Sequence, residues 1–184
     1  MEYTEEMYDW YLKRTRKHIF LVSKYIIEMI YHYGLAGMDL FAHKETHDLS
    51  KFEEPEKTPY VFITWQYYCQ RNNIDFYVPD TYKILMKNAT EHHVMSNPHH
   101  PEFHSKNGFE INSENRDIAS NILVDATSMP DLDICEMVAD WLAVSEERNT
   151  KAKDWADTNI GIRWKFNEKQ VERIYQIINT IEKN

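Results

Sequence analysis

The residues best suited to chemistry are the adjacent pair His47-Asp48, inside the run Thr46-His47-Asp48-Leu49-Ser50-Lys51-Phe52. An imidazole and a carboxylate on neighbouring positions can grip the same divalent metal. A chain with 9 histidines and 30 acidic residues contains such dipeptides by chance, so the pair gains weight only from its company. His18, His93 and Asp140 each interrupt an apolar helical face, and His99 and His100 occupy a proline-bounded corner. Imidazole and carboxylate together suit zinc, manganese, iron or nickel, and the core of a helical bundle is a common place to assemble them from facing helices.

A divalent ion lowers the pKa of a bound water from 15.7 toward roughly 7, and a close pair of ions can also hold a phosphoryl oxygen. Phosphoryl transfer asks mainly for positioning and charge compensation, which an acidic protein can supply with metals and a few cations. Lys51, three residues past Asp48, is the first candidate for a phosphate contact, although it reads equally well as a cation at the negative end of a helix. Arg14, Arg163 and Lys165 are further candidates. Glu136, one helical turn before Asp140, is a candidate to orient a ligand or a water.

The elements that must position these groups are helical. Of the 184 residues 42% are hydrophobic, with only four glycines and six prolines, which favours long helices over many short strands. Thr4 caps a helix that runs to about Tyr33, with Ile19, Val22, Ile26 and Ile30 at three- and four-residue steps and His18 on the same side. Gly34 and Gly37 end it. Asp39 then starts a helix through Leu40, His43 and His47 toward Phe52, which places the His-Asp pair late in a helix. A third helix is expected from Thr58 and Pro59 through Cys69, and a fourth from Asp80 through Tyr82, Met86, Ala89 and His93. That spacing selects His93 over His92.

Pro98 and Pro101 must break the fourth helix at the His99-His100 corner, and nothing in an irregular turn separates the two histidines as candidates. From His104 to Met129 the sequence reads as loop with one short helix, polar around Asn107 to Asn115. Pro130 opens a clear helix through Ile134, Met137, Val138, Trp141 and Val144, on which Asp140 needs a partner. After the polar segment Glu146 to Thr158, the run Ile160 to Phe166 reads as extended or irregular. Asn167 with Gln170 then forms a capping box for a last helix through Val171, Ile174, Ile178 and Ile181. His32 and His104 read as structural or surface groups. His43, one turn before His47, has the further reading of a group behind a ligand or facing substrate. The tryptophans read as core and edge packing.

A formal net charge of -9 argues against binding along a nucleic-acid backbone, which draws on clustered Lys and Arg. Cys69 and Cys135 lack metal-finger spacing and fit buried reduced thiols. No apolar run is long enough for a membrane span or a signal-peptide core. These features together lead us to expect one all-α domain over residues 1–184, soluble and cytoplasmic.

The order His18, His47-Asp48, Asp140 resembles the H…HD…D pattern of the HD-domain superfamily, α-helical metal-dependent phosphohydrolases and phosphodiesterases. HDLSKF, HHVMSNPHHPE and MP…EMVADW together resemble an uncharacterised HD-like family of bacteria and their phages over roughly residues 15 to 145. The resemblance implies an HD-domain-like bundle with a central metal site. It places His18, His47, Asp48 and Asp140 around one ion, with Asp48 bridging to a second ion held by His93 and the His99/His100 pair. HDLSK is also similar to the HD-x-A-K signature of bacterial enzymes that split diadenosine tetraphosphate symmetrically, with Ser50 in place of alanine. HHPE is similar to the HHE of cyclic-dinucleotide phosphodiesterases, whose downstream GYP element this chain lacks.

The expectation is therefore a hydrolase using one or two ions of manganese, iron, zinc, cobalt or nickel. Its substrate would be a small phosphorylated molecule of nucleotide type, with Asp48, Lys51 and Glu136 as the catalytic candidates. Two other outcomes fit the same residues. One is an HD-type di-iron oxygenase, and the other a metal-binding module without turnover.

Overall fold

The computed structural model describes residues 2–34, 37–112 and 118–182, and these are mostly helical. Seven α-helices run in the order α1 (Glu5–Tyr33), α2 (Gly37–Thr46), α3 (Lys57–Arg71), α4 (Asp80–Ser96), α5 (Asp131–Arg148), α6 (Ala152–Asn159) and α7 (Glu168–Ile181). Short 3₁₀ turns cover Leu49–Phe52 and Pro101–His104. The only described sheet is the parallel pair β1 (Val124–Asp125) and β2 (Trp164–Lys165), so the class is the expected all-α one. Of the stretch read as polar around Asn107 to Asn115, residues 113–115 lie outside the described residues.

The long helix α1 begins where its sequence says it should, because the Thr4 side chain accepts from the Met7 amide at 3.2 Å. Gly34 ends it at φ 51, a left-handed conformation that glycine adopts without steric cost. Its buried stripe is Met7, Tyr11, Thr15, His18, Val22, Ile26 and Met29, while Ile19 and Ile30 are half-buried. The apolar face is thus rotated slightly from the expected one, and His18 stands in the middle of it.

α1 packs most extensively on α5, the most buried helix of the chain. Two apolar clusters flank the middle of the molecule. One gathers the second half of α1 with α5, α7 and Trp164, and the other gathers Met7 and Tyr11 with α3 and Ala89 of α4. Along α1, His18 falls between the residues of the two clusters. None of the described helices is long and apolar enough to cross a membrane.

Two expectations need correcting. The second helix stops at Thr46 rather than running to Phe52, because Asp48 takes a left-handed conformation at φ 59. His47-Asp48 therefore sits in the turn between α2 and the 3₁₀ turn, and aspartate is among the few residues that tolerate this backbone. The polar segment Glu146 to Thr158, to which no helix is assigned from sequence, carries the end of α5 and all but the last residue of α6. Smaller shifts occur at helix starts. α3 begins at Lys57 after Glu56, and α4 has Pro79 rather than Asp80 at its cap. The last helix has the expected Asn167/Gln170 capping box.

Candidate metal centre

Asp48 is at the centre of the site, 1% exposed, and its two oxygens face different sets of groups. On the Oδ2 side, His18 Nε2 lies at 3.5 Å and His47 Nε2 at 3.7 Å. His18 Nε2 is also 3.1 Å from Asp140 Oδ1 and 3.5 Å from His47 Nε2. On the Oδ1 side, His93 Nε2 lies at 3.2 Å and His99 Nε2 at 3.7 Å. The His100 ring packs against both of these imidazoles, with centroids 4.8 Å from His93 and 4.2 Å from His99. All seven expected ligands thus meet in one place, drawn from α1, the turn after α2, α4, the proline corner and α5.

Behind the inward-facing nitrogens stands a ring of carboxylates. Glu136 Oε1 lies 2.8 Å from His47 Nδ1 and 3.1 Å from His99 Nδ1, and its Oε2 lies 2.5 Å from His43 Nδ1. Glu56, fully buried, takes His93 Nδ1 and His92 Nδ1 on its two oxygens, each at 2.8 Å, and the Ser50 hydroxyl at 3.0 Å. Glu147 Oε1 is 3.7 Å from His18 Nδ1. A carboxylate accepts only, so the contacts at 2.8 to 3.1 Å put the ring protons of His47, His93 and His99 on Nδ1 and leave their Nε2 lone pairs pointing inward. That is the tautomer a metal ligand needs, and an acceptor behind each imidazole is the usual support for one.

The charges follow from this arrangement. Burial favours the neutral acid at Glu136, but hydrogen bonds from His43, His47 and His99 outweigh it and hold the group ionised far below the usual range. The same opposition operates at Asp140, where His18 wins over burial, and at Asp48, where Lys51, His47 and His93 do. Burial lowers His18, yet Asp140 and Glu147 raise it to about 9. Burial with His99 and His93 alongside keeps His100 neutral, well below the ordinary histidine value.

Whether these residues fit a metal can be tested on the polar atoms they leave over. Asp48 Oδ1, His99 Nε2 and His100 Nε2 are buried and make no hydrogen bond. With its Nδ1 donating to Glu56, the His93 ring turns Nε2 toward Asp48 Oδ1, and a nitrogen lone pair and a carboxylate oxygen 3.2 Å apart repel unless a cation lies between them. Three groups of side chains hold donor atoms close enough for an ion: His18/His47/Asp140 and His93/His99/His100, one on each side of Asp48, and His47/His99/Glu136, which joins the two sides. The donor set is hard to borderline, all nitrogen and oxygen, and fits a divalent transition metal.

Other expected site residues are placed as follows. The Lys51 amine pairs with Asp48 Oδ2, mostly buried, and also lies over the Tyr60 ring. Both Glu136 oxygens are engaged by imidazoles, Oε1 by His47 and His99 and Oε2 by His43, an arrangement suited to orienting ring nitrogens. Arg14 lies 3.6 Å from Glu147, at the back of His18. Arg163 stacks on Trp164, while Lys165 pairs with Asp125 at the exposed strand edge and is not brought to the centre. His104 ties Asp133 to the Pro98 carbonyl, a structural latch, and His32 is exposed at the end of α1. Glu56 and Glu147 were not anticipated. Each stands among other acidic residues at a helix end, and the sequence holds no signal that separates them from those neighbours.

A pocket of about 110 Å³ opens onto the centre and is bounded at its inner end by His100 and Asp140, one ligand from each side of Asp48. Its walls include Trp141, Trp155 and Trp164. No curated protein and no solved structure matches the chain. Over residues 7–181, however, the sequence matches a family of unknown function (DUF5662), and the protein belongs to that family.

Proposed function

We propose that the protein is a metal-dependent phosphohydrolase of the HD type, acting on a small phosphorylated substrate of nucleotide class. The observation that carries this reading is the division of six side chains about the two oxygens of Asp48. His18, His47, Asp48 and Asp140 would hold one ion, and Asp48, His93, His99 and His100 the other. When bound, such ions supply Lewis acidity, lowering the pKa of water and neutralising phosphoryl oxygens.

The chain's own contribution is placement. Glu136 and Glu56 fix the imidazoles in the ligating tautomer, so no reorganisation is needed when substrate arrives. Lys51 holds Asp48 from the Oδ2 side and brings a cation to the rim of the centre, where a phosphoryl oxygen would meet it. His100 and Asp140 form the inner end of the pocket, so a phosphoryl group entering there would touch both halves of the site. The order H…HD…D supports the HD type, and the stretch HHVMSNPHHPE carries the further histidines that a second ion would need.

The test is phosphate release from a broad panel of phosphomonoesters and phosphodiesters, with protein loaded with manganese, iron, cobalt, nickel or zinc. Activity on some member is expected, and Asp48→Asn should abolish it while keeping the left-handed turn, which asparagine also tolerates. Silence across the panel with metal demonstrably bound would overturn the reading.

A further inference from the structure

His99 and His100 are adjacent in sequence, and each presents a buried Nε2 with no hydrogen bond, yet their surroundings differ. His99 is 2% exposed, its Nε2 lies 3.7 Å from Asp48 Oδ1, and its Nδ1 is backed by Glu136 at 3.1 Å. Three other imidazoles of the centre follow the same plan. His47 and His93 lie within 3.7 Å of an Asp48 oxygen and have a carboxylate 2.8 Å behind Nδ1. His18 lies 3.5 Å from Asp48, with Glu147 at its back. His100 departs from the plan. Among the described residues no carboxylate pairs with either of its ring nitrogens, and its ring packs only on those of His93 and His99. It is half-buried where the other four are buried, and it alone of the five lines the pocket.

An acceptor behind a ligating imidazole fixes the ring and raises its basicity, and losing one costs about 10- to 100-fold in metal affinity. His100 has no such support, so among the donors on the Oδ1 side it would hold an ion most weakly. It also stands where a molecule entering the pocket arrives. We propose that His99 is a permanent ligand and His100 an exchangeable one, whose place on the Oδ1 side is taken by an anionic oxygen entering from the pocket. The exchange substitutes one donor for another: the Nε2 lone pair of His100 withdraws and an oxygen lone pair replaces it, with no proton or electron transferred. The inference rests on the two-ion phosphohydrolase reading and deepens it, by locating where a phosphoryl oxygen binds. Neighbours that look equivalent in sequence are told apart by what stands behind each ring.

Zinc retention and the binding of methylphosphonate, which cannot be hydrolysed, test this without turnover. In chelator competition His100→Ala should keep two ions, with zinc affinity within about 10-fold of the unaltered protein, whereas His99→Ala should keep only one. By titration calorimetry, methylphosphonate should bind zinc-loaded His100→Ala more tightly than the unaltered protein, by about 10-fold if the exchanged state is one-tenth populated beforehand. His100→Asn should behave as His100→Ala does, with circular dichroism confirming that each variant folds. In the unaltered protein, methylphosphonate should move the imidazole nitrogen resonances of His100 and leave those of His99 in place. The inference is overturned if His100→Ala loses an ion as readily as His99→Ala, or if methylphosphonate binds the His100 variants no more tightly than the unaltered protein. Failure of the unaltered protein to take up zinc would overturn it together with the two-ion centre. Retained zinc and tighter methylphosphonate binding in His100→Ala, without hydrolysis of any ester by the unaltered protein, would sustain the exchange and refute the hydrolase alone.

Discussion

Replacing Glu136 by methionine tests the central geometry most directly. Methionine has nearly the shape of glutamate and no strong acceptor, and removing a buried charge in favour of a well-packed apolar side chain is often tolerated by a fold. Oε1 of Glu136 serves His47 on one side of Asp48 and His99 on the other. Losing an acceptor behind a ligating imidazole costs about 10- to 100-fold in metal affinity. Both sides lose theirs at once, so each of two ions should weaken by about 1.4–2.7 kcal/mol. Glu136→Gln should fall well short of this, because its carbonyl can keep facing His47 and His99 while its amide turns to His43. Glu56→Gln offers a contrast, since Glu56 stands behind His93 alone among the ligands and its loss should weaken only the ion on the Oδ1 side. Chelator competition with zinc, read alongside elemental analysis, gives both stoichiometry and affinity. If Glu136→Met bound two ions with unaltered affinity, or weakened only one, the carboxylate would not be a support shared by both sides.

Further outcomes follow from the same structure. Loading to 100 times Kd should stabilise the protein by about 2.7 kcal/mol, which for a chain of this length raises Tm by roughly 5–10 °C; an unmoved melting curve with metal bound would contradict a preformed site. His18 has a folded pKa of about 9, above its ordinary 6.5, so its pairing with Asp140 stabilises the metal-free protein fully below pH 6.5, and this contribution disappears as pH rises through 9. Zinc must displace that proton, so uptake at pH 8 should release at least about one proton and affinity should drop as pH falls, measurable by calorimetry in two buffers of different ionisation heat. Cys69 and Cys135 are buried, with burial raising both thiols and Cys135 reaching about 11; neither should label at pH 8 until denaturant is added, and rapid labelling of the native protein would show that the core around them opens.

Much of the centre was legible because a ligand on a helix betrays itself by breaking an apolar stripe. His18, His93 and Asp140 did so, and the two prolines marked the corner that brings in His99 and His100. The turn at His47-Asp48 was hidden, since the left-handed residue is an aspartate rather than a glycine and the pattern on either side continues helically. α6 was hidden for a different reason. Its sequence is mostly polar and it holds to the core mainly through Ala152 and Ala156, fully buried four residues apart, which is too small an apolar signal for periodicity to register. With α6 went one wall of the pocket, because Trp155 is positioned only once that helix exists. Of the strand pair, β2 lies inside the run Ile160 to Phe166 that reads as extended or irregular, while β1, two residues long, was beyond reach.

The rest of the buried polar groups show why the centre is not simply a polar core. Thr64 gives its hydroxyl to the Tyr60 and Val61 carbonyls, Asn159 its amide to Trp155, and Gln170 its amide to Met129. These groups are satisfied within the protein, as burial demands. The same chain supplies acceptors for the outer nitrogens of His47, His93 and His99, then leaves Asp48 Oδ1 and the inner nitrogens of His99 and His100 with no hydrogen bond. An unmet buried group costs about 1–3 kcal/mol, and a structural network would relieve it by letting one ring donate to the next. Here the carboxylates behind the rings forbid that, because they claim the ring protons that such donation would use. The arrangement that is poor as a hydrogen-bond network is the one that keeps ring nitrogens aimed at the two oxygens of a single aspartate, and a divalent cation placed there would turn that mutual repulsion into coordination.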